Sequence, residues 1–135
     1  MYALIWVALV QILLVLFPLY GDTLTFAHMA VGAVVLVMAY LIRSQVMESQ
    51  CPNRIKVIVK TTFGLAILQA VLGVALEGAI QAGNSFGFLV GAIQLLHAVN
   101  GLAIITQASA SATAYDMWEE KEFAPSAPAS SAPAA

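Results

Sequence analysis

The chain has 135 residues, 61% of them hydrophobic and 9% charged, with a formal net charge of −2. So few charges cannot clothe a soluble domain of this length, and a near-neutral balance without a basic stripe points away from nucleic acid as a partner. The single cysteine, Cys51, allows no intrachain disulfide and no zinc site of ordinary cysteine spacing.

A membrane-crossing helix needs about 20 apolar residues. The first candidate covers 3–19 and stops at Gly21 and Asp22. It lacks a basic flank, and Pro18, Tyr20 and Asp22 follow it where a signal peptide would carry small residues, so it reads as a retained helix. The second covers 24–42 and ends at Arg43; the third covers 57–76 and ends at Glu77-Gly78; the fourth covers 86–106, with an Ala/Ser-rich continuation towards Tyr115. None alternates as a strand would, and an open sheet has no means of satisfying its backbone in lipid. The short connections make neighbouring helices antiparallel. The expected fold is therefore all-α: an integral membrane four-helix up-down-up-down bundle in one domain, 1–118. Residues 119–135 form a charged segment followed by Ala, Pro and Ser, and are expected to be a disordered cytoplasmic tail.

Arg43, Arg54, Lys56 and Lys60 all lie in or beside the loop between the second and third helices, whereas the other loops carry only Asp22 and Glu77. The positive-inside rule places the basic loop, and with it both termini, in the cytoplasm of a multi-pass protein of the cell (plasma) membrane. Lys56 and Lys60 are one turn apart, placed to reach the inner headgroups.

Polar side chains are costly in lipid and so mark the positions that carry information. They are Gln11, His28, Gln69, Gln94, His97 and Asn100. The only two histidines sit on the second and fourth helices, which run in the same direction and lie diagonally across an up-down bundle. Two histidines facing each other there form a clamp for a flat macrocycle. Each opens an H-x-x-x-G motif, His28 to Gly32 and His97 to Gly101, and four residues place the glycine on the histidine's face. Gly32 and Gly101 are expected to make room for the ring. Gln69 and Gln94 are candidates to hydrogen-bond the ligating histidines, although packing is the simpler role for intramembrane glutamines. Gly64, Gly73 and Gly91 read as points of close helix approach, and Met29 points away from His28. Gln11 in helix one and Gln69 in helix three have similar settings, so the chain reads as two helical hairpins of one plan. Two features oppose the clamp. Counted from Asp22 and Ser85, the histidines differ in depth by roughly 9 Å at about 1.5 Å per residue. The outer side also offers no Arg or Lys to haem propionates.

These residues resemble one half of the haem A synthase fold, a four-helix unit with a histidine early on its second helix and another on its fourth. The stretch 67–73, Ile-Leu-Gln-Ala-Val-Leu-Gly, is similar to that family's L-Q-x-x-L-G segment, and Leu96-His97-Ala98 is similar to its fourth-helix ligand segment. The resemblance covers about 3–110 and implies haem held by His28 and His97. Thr25 stands where the enzymes carry a glutamate and Met29 where a basic residue often follows the histidine, and the family's outer-loop cysteine pair is absent. These departures favour haem binding over hydroxylation.

The expected function is that of a b-type cytochrome subunit: His28 and His97 ligate the iron of haem b for one-electron transfer within a respiratory or related membrane oxidoreductase. Lipid, and other membrane subunits or further copies of the chain, are the expected partners. The alternatives are a half-size haem A synthase-like enzyme acting as an oligomer, and a cofactor-free accessory or assembly subunit of a larger membrane complex.

Overall fold

The computed structural model describes residues 1–16, 22–83 and 87–123. Four α-helices make up the described chain: α1 (Tyr2–Leu16), α2 (Asp22–Glu48), α3 (Asn53–Gln81) and α4 (Gly87–Phe123). α2, α3 and α4 are each long and apolar enough to cross a membrane. α1 is shorter: its 15 residues span about 22 Å at about 1.5 Å per residue, and its expected end at Leu19 lies outside the described residues.

The helices extend beyond the apolar runs that announce them. α2 passes Arg43 and continues to Glu48, α3 runs from Asn53 to Gln81, and α4 continues past Thr106 to Phe123. Residues 119–123, expected in the tail, are therefore helical, while 124–135 lie outside the described residues. The reason is that hydropathy reports only the lipid-facing length. Backbone hydrogen bonding continues through Arg, Gln, Met, Ala and Glu, all good helix formers. Backbone chemistry ends the helices instead. Pro52 caps α3 with φ −55° and ψ 144°, and its carbonyl accepts from the Ile55 and Lys56 amides. Beyond α3, Gly83 takes φ +85°, the left-handed conformation that glycine adopts most cheaply.

α1 packs on α2, α2 on α3, α3 on α4 and α4 on α1, so the four helices close a ring with α2 and α4 diagonally opposed. One core cluster joins Leu4, Val35, Ala39, Ala66, Ile104 and Ala108. Its three alanines let the backbones approach closely, the usual means of packing helices in a membrane. A second cluster of Val46, Cys51, Ile55 and Val59, with Met1, Tyr115 and Trp118 against it, closes one end. At that end the Tyr2 hydroxyl donates to the Asp116 carboxylate and Lys56 Nζ donates to the Met47 carbonyl at 3.2 Å. Outward, large apolar side chains such as Phe26, Val74, Phe88 and Leu95 are exposed. Only 6–11% of the apolar windows of α2, α3 and α4 is buried inside the bundle. This apolar exterior suits a lipid bilayer.

Candidate functional site: the histidine pair

α2 and α4 bring their two histidines together. The rings of His28 and His97 lie with centroids 6.0 Å apart and planes inclined by 56°. The depth gap expected from sequence does not separate them. His28 is six residues past Asp22 and His97 ten past Gly87, so α4 starts about one turn further out than α2.

A glutamine from the preceding helix attends each histidine. Gln11 on α1 donates its amide to the backbone carbonyl of His28 at 2.8 Å. The Gln69 amide on α3 meets His97 Nε2 at 3.0 Å. Asn100, one turn along from His97, donates to Gln69 Oε1 at 2.7 Å and to the Leu65 carbonyl at 2.9 Å. The glycines of the two H-x-x-x-G motifs face these glutamines. A Cβ added at Gly32 would lie 3.1 Å from Gln11 Nε2, and one at Gly101 would lie 3.4 Å from Gln69 Nε2. The hairpin repeat read from sequence is thus also a packing repeat, with a glutamine laid across the glycine one turn below each histidine.

Comparison with family models, curated proteins and solved structures finds no match to this chain. The chemistry of the site rests on its geometry.

Among the described residues that geometry leaves three buried polar atoms without a hydrogen-bond partner: His28 Nδ1, His97 Nδ1 and Gln11 Oε1. An unsatisfied buried polar atom is expensive, and two of the three belong to the paired rings. The donor set is two imidazoles. Among the described residues no group of three or more His, Cys, Asp or Glu is placed to hold a metal ion. Two protein ligands alone suit a metal whose remaining positions a macrocycle supplies. Two imidazole nitrogens each about 2 Å from one metal also place their ring centroids roughly 6 Å apart. On donor set and ring separation the two imidazoles fit a haem iron, which His97 would hold through Nε2 once the Gln69 amide moves aside.

Of the residues singled out from sequence, His28, His97, Gln69, Gly32 and Gly101 gather here. Gln94 does not: its side chain is exposed and makes no hydrogen bond among the described residues. Gly32 and Gly101 give their space to glutamine amides. Met29 is exposed, pointing away from the site as expected. Sequence reasoning noted Gln11, Gly73 and Asn100 without placing them in the site. Gly73 bears directly on His97, and Asn100 on Gln69. The signal for both was helical spacing, since Asn100 follows His97 by three residues and Gly73 follows Gln69 by four.

Proposed function

We propose that the chain is a b-type cytochrome subunit of a membrane oxidoreductase, in which His28 and His97 would hold the iron of haem b. The observation that carries this reading is the apposition of the two rings at 6.0 Å on diagonal helices. In this reading the helices form an up-down-up-down bundle in the cell membrane, the basic loop and both termini lie in the cytoplasm, and other subunits or further copies of the chain surround the apolar exterior. Bound haem supplies a reversible one-electron couple. The chain supplies the rest. His28 and His97 would hold the iron, a two-histidine donor set suited to electron transfer rather than to binding oxygen or substrate. The lipid-facing side chains keep water from the iron. Gln11 ties α1 to the backbone carbonyl of the ligating residue His28.

A purified preparation should show a Soret band and a sharp reduced α-band, both lost in His28→Ala and His97→Ala. A colourless wild-type preparation sinks the reading. It would leave the cofactor-free accessory subunit, which one observation favours: Gln69 already hydrogen-bonds the His97 ring. The half-size synthase reading has Thr25 where the enzymes it resembles carry a glutamate. It predicts a hydroxylated haem in cells supplied with haem O.

A further inference from the structure

The hydrogen bonds around His97 run in one direction only. The Leu65 backbone carbonyl can only accept. Asn100 must therefore present its NH2 group to that carbonyl, 2.9 Å away. The opposite assignment would set two oxygens against each other. The same NH2 group lies 2.7 Å from the side chain of Gln69, so that atom of Gln69 is its oxygen. The other end of Gln69, 3.0 Å from His97 Nε2, is then its NH2 group, and it donates. A nitrogen that accepts carries no proton. In neutral His97 the proton consequently resides on Nδ1, an atom with no partner of its own. The assignment of the two amides follows from a backbone carbonyl that cannot flip.

Among the described residues His28 has no such relay. Gln11 donates to its backbone carbonyl and leaves the ring alone. The two hairpins thus share a plan but differ in chemistry. One glutamine braces a helix, and the other sets a tautomer.

We infer that Asn100 and Gln69 are positioning residues that fix the tautomer of His97, making Nε2 its lone-pair nitrogen and holding the proton on Nδ1. The functional weight of this inference rests on the haem reading, in which the proton already on Nδ1 would let the Nε2 lone pair pass from the Gln69 amide to the iron. Asn100 does so from two hydrogen bonds away, through Gln69.

The test is nitrogen NMR of the full-length chain, prepared without haem in lipid nanodiscs and labelled with 15N-histidine. A His28→Leu preparation contains one histidine and assigns the His97 signals. Wild type should show Nδ1 protonated and Nε2 bare. Asn100→Asp is nearly isosteric but reverses the chain. Whether ionised or protonated, its side chain accepts from the Gln69 NH2 group, so Gln69 turns its oxygen to His97 and the proton moves to Nε2. Gln69→Leu should lose the single-tautomer pattern, and Gln94→Leu, an exposed control, should keep it. Haem added to Asn100→Asp should bind about 10–100-fold more weakly than to wild type. A wild-type His97 protonated on Nε2 overturns the inference, whatever the variants do. So does an Asn100→Asp pattern identical to wild type. A preparation with no Soret band but the expected NMR pattern defeats the haem reading and leaves the relay standing. A Soret band with Nε2 protonated in the unloaded chain does the reverse.

Discussion

The His97 ring lies against the bare backbone of Gly73: a Cβ at Gly73 would come within 3.3 Å of Cε1 and 3.9 Å of Nδ1. A glycine inside a helix costs about 0.8–1.0 kcal/mol relative to alanine, so this one is explained by the ring it admits. Gly73→Ala should displace the imidazole by a few tenths of an ångström, shifting the haem absorption and weakening retention of the group. Gly64, nine residues earlier on the same helix, faces open space. Gly64→Ala should leave the spectrum unchanged and raise stability by up to about 1 kcal/mol. Equal spectra for the two variants would show that Gly73 does not hold the ring.

The matching contact in the first hairpin can be read as a double-mutant cycle. Gly32→Ala pushes the Gln11 amide aside by a few tenths of an ångström and weakens its bond to the His28 carbonyl, which should cost up to about 0.6–1.7 kcal/mol of bundle stability in a detergent-unfolding titration. In a Gln11→Leu background the amide is already gone, and adding Gly32→Ala should cost little more. Costs that simply add would mean the glycine and the glutamine are not coupled.

Close packing at the alanine layer gives a size-dependent prediction. Ala108 is 2% exposed and sits in the cluster with Leu4, Val35, Ala39, Ala66 and Ile104. Ala108→Leu should cost about 1–3 kcal/mol through overpacking and lower the thermal midpoint in detergent. Ala98, exposed on the same helix, should accept leucine with no change in midpoint.

Carbon monoxide distinguishes a pair of axial ligands from a pair of neighbours. With both positions filled by His28 and His97, the reduced wild type should not bind the gas. His28→Gly or His97→Gly, reconstituted with haem, should open one position and show a CO-shifted Soret band, and added imidazole should reverse it. A wild type that binds CO readily would show that at least one histidine is not a ligand.

Orientation is open to labelling. In a Cys51→Ser background, a cysteine at Glu119 should react with impermeant maleimide only from the cytoplasmic side. A cysteine at Gln81 should react only from the opposite side. Both positions are exposed, so burial does not limit either reaction. Reaction of the two from one side would refute the up-down-up-down arrangement.

The all-helical character and the three long apolar helices were legible in the residues alone. A chain in lipid must satisfy its backbone within each segment and carry few charges, and both demands are local. That His28 and His97 lie near each other was legible too, from their places on the second and fourth of four helices. The tertiary structure decided what local demands leave free. A helix such as α4, with apolar residues on every side and only the polar side chains of Gln94, His97 and Asn100 among them, does not say by itself how it turns or how far it slides along its neighbours. Packing against α1 and α3 settles that rotation and offset. It brings the two rings to one level, turns Gln94 outward, lays Gln11 and Gln69 over Gly32 and Gly101, and links Asn100 through Gln69 to His97. The sequence thus determined which residues were available to meet, and only the packing of four helices determined which nitrogen of His97 is left bare.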